Sequence, residues 1–197
     1  MDRIIAVLLL VAMLAFISIK SQDSPDMVVD KYLKAVRASD YERAYTFISK
    51  TDTTIIDWLE LIRYIKQVAP PKLATLIDLA HCATRQEIVN TTVEGNTAVV
   101  EIRSTVPDME ETLKVTHRVE EIKSLLDQGK LPMKERIGGC ELVVEEGAWK
   151  ISKVRGVSAG QAAEIATDLA EQILGKDEAE RLAQKIKEFG QRRPEGA

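Results

Sequence analysis

The chain has 197 residues, 45% of them hydrophobic and 29% charged, a balance that excludes a disordered or fibrous protein. Against 27 basic residues, 31 acidic ones leave a formal charge of −4 with no basic stripe, which excludes a surface built to grip a phosphate backbone, so nucleic acid is not an expected partner. With the 19 residues through Ile19 set aside, 178 of the 197 remain, enough for one domain with a sizeable core and an appendage but too few for two full domains.

From Ile4 to Ile19 every residue is apolar except Ser18, with Arg3 before the run and Lys20 after it. At about 1.5 Å per residue this run reaches roughly 24 Å, a little short of a ~30 Å hydrocarbon core and a little long for the apolar stretch of a cleaved signal. Both readings lead through the export machinery. Cleavage wants small residues at positions −3 and −1, and the best candidate here places Ser21 at −1 but Ile19 at −3; no cysteine is present to accept a lipid. Residues 1–22 are therefore read as an uncleaved signal anchor rather than a removable signal peptide, with residues 4–19 in a membrane and the bulk of the chain on the extracytoplasmic, periplasmic side.

Ser24, Pro25 and Asp26 supply a cap, a first-turn proline and an acidic first turn, after which Val28, Val29, Tyr32, Leu33 and Val36 make one apolar helical stripe. A second cap at Asp40 precedes Tyr41, Ala44, Tyr45 and Ile48, and a third near Asp52 or Thr53 precedes Ile55, Trp58, Leu59, Ile62 and Ile65. Pro70 and Pro71 end that helix, and Leu73, Leu76, Ile77 and Ala80 keep helical spacing in a short fourth element. The period then falls to two. Thr84 to Val93 and Thr97 to Val106 predict a hairpin turned through Glu94, Gly95 and Asn96. Leu113, Val115 and His117 alternate in an expected third strand, Val119 to Leu126 form a helix stopped by Gly129, and Cys140, Leu142 and Val144 alternate in a strand turned at Glu146 and Gly147 toward Trp149 and Ile151. Gly138 and Gly139 are expected at a bend or bulge. Ser158 and Gln161 then make a capping box before Ala162, Ile165, Ala166, Leu169, Ala170 and Ile173, and Asp177 and Glu180 precede Leu182, Ala183, Ile186 and Phe189. These two segments predict a C-terminal helical hairpin, over 156–190, open to packing on its own domain or on a partner, with 191–197 as a disordered tail.

The order Ser24-Pro25-Asp26, then Asp40-Tyr41-Glu42-Arg43-Ala44-Tyr45, then a meander ending in Glu146-Gly147-Ala148-Trp149-Lys150-Ile151 resembles the nuclear transport factor 2-like cone superfamily over residues 23–155. Within it, the similarity is greatest to small bacterial envelope proteins of unknown function. The resemblance implies an α+β fold in which N-terminal helices pack on a strongly curved, cone-shaped antiparallel sheet, with a cavity between them that some relatives use for catalysis and others for binding. A helical insertion near 118–135 and the hairpin after 157 depart from that pattern, and either addition is placed to cover or fill the cavity.

Few residues carry recognisable chemistry. Gly156-Val157-Ser158-Ala159-Gly160 matches a nucleophile elbow, but no histidine follows it and Ser158 has a sufficient task as a helix cap. His117, on the apolar face of its expected strand, points toward the cavity, where Asp57 is the carboxylate to tune it as a general base; the alternative is an inert, hydrogen-bonded histidine. His81 beside Cys82 falls short of the three or four ligands a zinc site needs, and no metal or cofactor is expected. Tyr32, Tyr45 and Trp58 belong to a group of six aromatics between residues 32 and 64 that either line a pocket for an apolar ligand or form ordinary helix-to-sheet core. Cys82 and Cys140, at an exported address, either pair or remain two buried thiols. The Asn90-Thr91-Thr92 sequon has no consequence in a bacterial envelope. Two functions are therefore expected in order: a membrane-tethered, non-catalytic envelope module that binds a small apolar ligand or, through its C-terminal helices, an envelope protein; or a small cofactor-free hydrolase or isomerase using His117 with a carboxylate.

Overall fold

Pro25 starts the first described helix because its fixed φ suits the first turn and its missing N–H would find no partner there anyway. In the computed structural model, which describes residues 23–51, 54–156 and 158–191, this helix, α1, spans Pro25–Arg37 and buries Val28, Val29, Tyr32 and Ala35 along one face. Residues 1–22, including the expected anchor, and the expected tail after Gln191 lie outside the described residues. No helix among the described residues is long and apolar enough to cross a membrane. The expected cap at Asp40 accepts from Arg43 N at 3.1 Å and opens α2, Tyr41–Tyr45. Helix α3, Thr54–Val68, ends ahead of the proline pair, and Pro71 then initiates α4, Pro71–Ala83, whose Leu73 and Leu76 are fully buried.

The sheet is an antiparallel meander of four strands in the order β1-β2-β3-β4: β1 Arg85–Glu94, β2 Thr97–Pro107, β3 Met133–Glu145 and β4 Ala148–Arg155. Together with the helices it makes an α+β fold with an open sheet. Glu146 and Gly147 both adopt positive φ, 51° and 77°, the left-handed pair that a two-residue hairpin needs to match the twist of its strands. Gly138 and Gly139 do not form a bulge: β2 and β3 stay in register from Thr97↔Val143 to Pro107↔Met133. They are glycines because neighbouring backbone comes too close for a side chain. A Cβ at Gly139 would stand 2.5 Å from the Val100 carbonyl oxygen, and one at Gly138 2.7 Å from that of Arg155. The bulges lie elsewhere, with Val89 the extra residue in β1 and Ser152 the extra residue in β4.

A strand expected through Leu113, Val115 and His117 is instead a helix, α5, Met109–Val115. Local capping overrides three alternating residues: the Asp108 carboxylate accepts from Glu111 N, the Thr112 hydroxyl donates to the Asp108 carbonyl at 2.7 Å, and Glu110 and Glu111 fall in the positive first turn. Of the three, only Leu113 is buried; Val115 is 70% exposed. With α6, Val119–Asp127, the insertion occupies the whole interval between β2 and β3 and begins earlier than residue 118.

Two packed regions result. In the first, Val28, Tyr32, Ile48 and Leu59 from the helical side meet Val100, Ile102, Cys140, Leu142 and Ile151 from one face of the sheet. The second gathers α4, the insertion and the C-terminal helices α7, Ala159–Leu174, and α8, Lys176–Gln191. Ser158 and Gln161 form the expected capping box at the start of α7. The pair folds back as an antiparallel hairpin on its own domain: Leu182 and Ala170 meet Leu73 of α4, and the ring of Phe189 stacks on Tyr64 of α3 at 4.3 Å. Small residues make the approach possible, since Ala166 and Ala170 are buried where larger side chains would hold the helices apart.

Candidate functional site

Of the expected ligand-binding aromatics, Tyr32 is a core residue, and Tyr45 and Trp58, partly buried, pack against that core. Tyr32 is 3% exposed between α1 and the sheet, where burial pushes its phenol well above the ordinary range. Tyr45 is half-buried, and burial followed by its hydroxyl's hydrogen bond to Glu60 raises its pKa as well. Trp58 packs against the same cluster; its buried indole N–H meets no acceptor among the described residues. Between the helices and the sheet these rings pack with Leu59, Leu142 and Ile151, the last three each no more than 1% exposed.

His117 and Asp57 are not brought together in a pocket. The change of residues 109–115 from strand to helix carries His117 out to an exposed position in the loop between α5 and α6, away from the apolar face that alternation assigned it. Asp57 is also exposed, in the first turn of α3. A general base needs a positioned partner within hydrogen-bond reach and shelter from bulk water, and an exposed loop imidazole has no shelter. Ser158 sits at the head of α7 with its hydroxyl accepting from Gln161 N at 3.2 Å, occupied as a cap rather than aimed at a base.

Both cysteines are free. Cys82 is exposed in the last turn of α4, and Cys140 is fully buried in β3, where desolvation pushes its thiol up to about 12. His81, half-buried beside Cys82, has its pKa lowered, first by burial and then by the nearby Lys66 cation. Among the described residues no group of three or more His, Cys, Asp or Glu is placed to hold a metal ion.

No protein-family model, characterised protein or solved structure matches this chain.

What the structure does offer is a free sheet edge beside a cleft. The two edges of the sheet are treated differently. At β4 the segment after α2 bridges the middle of the edge at Ile151, with Ser49 N donating to the Ile151 carbonyl and Ile151 N to the Phe47 carbonyl, each at 2.8 Å. The buried Ser49 hydroxyl also donates to Glu145, whose carboxyl is held below its usual range by that bond. At β1, among the described residues, no strand lies outside the edge, and eight of its ten residues are exposed. Such an edge leaves alternate backbone N–H and C=O groups able to pair with another extended chain. Alongside it, between α1 and the first half of β1, runs a cleft of about 360 Å³ lined by the apolar Met27, Leu33 and Ile88 and by the polar Asp26, Asp30, Lys34, Arg37 and Gln86. Val89 and Val93 on this strand and Met27 in the cleft are among the exposed large apolar side chains, at 37%, 51% and 47% exposure.

A second cleft, of about 380 Å³, is lined by Ser39, Asp40, Tyr41, Glu42, Arg63, Lys66 and Gln67. Both of its cations are already engaged, Lys66 Nζ 2.8 Å from Asp78 and Arg63 3.7 Å from Glu60. Sequence reading missed the α1–β1 surface because strand alternation shows which residues face the core and not which edge of the sheet stays unpaired.

Proposed function

We propose that this chain is a membrane-tethered, extracytoplasmic, non-catalytic binding module that engages a protein partner through the open edge of β1 and the adjoining α1 cleft. The tether rests on the apolar run from Ile4 to Ile19 and its flanking Arg3 and Lys20. The cone reading of the fold is supported by the order of elements, helices first and then a four-stranded meander. Three features favour a protein partner over a small apolar ligand or a reaction: the aromatics are spent in the core, His117 is exposed, and the hairpin's apolar faces are spent on α3 and α4. The single observation that carries the reading is the contrast between a β4 edge bridged at Ile151 and a β1 edge with no strand outside it among the described residues, beside a cleft of mixed apolar and charged lining. Strand addition at such an edge draws affinity from main-chain hydrogen bonds and specificity from side chains entering the groove.

The test is site-specific photo-crosslinking in native membranes, with a benzophenone side chain placed at Val93 or, on the outer side of the C-terminal hairpin, at Ile165. Val93 is expected to capture a protein and Ile165 none; capture at Ile165 with none at Val93 would overturn the reading. A reporter fused after Ala197 that is active only in the cytosol would overturn the tether.

A further inference from the structure

Resting on that reading, we infer that the occupant of the β1 edge is a second copy of this chain, paired antiparallel about a two-fold axis between Val89 and Asn90, so that two four-stranded sheets join into one.

Charge sets the register. The charged residues of β1 are Arg85 near one end, Glu87, and Glu94 at the other end, so a strand laid antiparallel on its own copy with Arg85 opposite Glu94 forms that pair twice. The same register sets Gln86 opposite Val93, Glu87 opposite Thr92 and Ile88 opposite Thr91. Residues directly opposite one another in a sheet must share a face, and an uninterrupted strand would fail here, since residues 85 and 94 would point to opposite sides. The bulge removes the conflict. Pairing with β2 puts Arg85, Glu87, Asn90, Thr92 and Glu94 on the solvent face, and Gln86, Ile88, Thr91 and Val93 on the helix-bearing face. The extra residue, Val89, switches the alternation between the halves, and a two-fold axis beside it makes every one of the four pairs in each half match face to face.

Apolar surface agrees with the charge. Val93, 51% exposed on the helix-bearing face, would lie against Gln86 of the other copy, at the lip of the cleft lined by Met27, Leu33 and Ile88. The axis also brings both Val89 side chains together. A two-fold pairing uses the β1 edge of both copies at once, and among the described residues the bridge at Ile151 interrupts the β4 edge, so the pairing closes as a dimer.

The test uses the full chain in membranes on a Cys82→Ser background, with Cys140 buried and silent. A Gln86→Cys/Val93→Cys variant is oxidised mildly. Directly opposed residues lie about 4.5–5.5 Å apart, within disulfide reach, whereas the two cysteines of one strand are separated by roughly 23 Å. A covalent dimer is expected from this variant and not from the out-of-register Gln86→Cys/Thr91→Cys variant. Adding Arg85→Glu or Glu94→Arg alone is expected to lower the dimer yield at least fivefold, and adding both to restore it to within twofold; unchanged melting of these surface variants excludes misfolding. Absence of the dimer, or yields indifferent to the charge reversals, overturns the inference. If Val93 then photo-crosslinks a different protein, the dimer falls while the binding surface stands; if Val93 captures nothing, both fall.

Discussion

Replacing Gly139 by alanine places a Cβ 2.5 Å from the Val100 carbonyl oxygen and 3.4 Å from the Glu101 Cα. Relief to an ordinary contact of 3.4 Å requires the two strands to part by about 0.9 Å. Neither atom belongs to a flexible side chain, and β2 and β3 are paired without a break on both sides of the contact, so the movement strains several ladder hydrogen bonds at once. Overpacking of this kind costs about 1–3 kcal/mol, and a backbone clash belongs at the upper end. Loss of glycine's freedom in the unfolded chain offsets ~0.4–1 kcal/mol, leaving a net destabilisation of about 2 kcal/mol. For a chain of this size each kcal/mol moves the melting midpoint by about 2–4 °C, so thermal unfolding followed by circular dichroism should show a fall of roughly 4–8 °C. Gly160→Ala is the matched control. Its Cβ meets nothing nearer than the Ser158 hydroxyl at 4.0 Å, so it should raise the midpoint slightly through helix propensity. A Gly139→Ala variant as stable as the parent would refute the close strand approach.

Thiol titration should find one reactive cysteine in the native chain, Cys82, and two in denaturant, because Cys140 is buried and its pKa raised; two reactive thiols under native conditions would contradict that burial. His81 has a folded-state pKa below its ordinary 6.5, so between the two values the unfolded chain binds more protons than the folded one; stability present above about pH 6.5 should decline as pH falls through that window, and His81→Gln should flatten the decline in denaturant midpoints. Leu182→Ala removes a side chain 2% exposed between α7, α8 and α4 and should destabilise by about 2–4 kcal/mol in chemical denaturation, whereas a hairpin standing free of the domain would leave the main transition unmoved.

The elements legible in the sequence were those with their own punctuation. Pro25, Asp40 and the Ser158–Gln161 box each start a helix where their chemistry places it, although the Ser24 side chain makes no capping hydrogen bond, and the Gly95 and Glu146-Gly147 turns fix both hairpins. Where punctuation and periodicity disagreed, the cap prevailed: Asp108 made a helix of a segment whose Leu113, Val115 and His117 alternate like a strand. The first half of β3, from Met133 to Gly139, was invisible because Lys134, Glu135 and Arg136 carry no strand pattern; pairing with β2 imposes the extended form. The site was less legible than the fold. Aromatic side chains at helical spacing look the same whether they line a cavity or form core, and here Tyr32 is buried in the core with Trp58 packed against it. An open strand edge is a property of the assembled sheet, so no local pattern in β1 announces it.

Backbone hydrogen exchange of the full chain in its membrane bears most directly on β1 as a binding surface. Amides of β1 that point away from β2 should be protected in the membrane at native density and exchange freely once the chain is diluted in detergent, with β2 and β3 protected throughout. Free exchange of those amides in both conditions would contradict it.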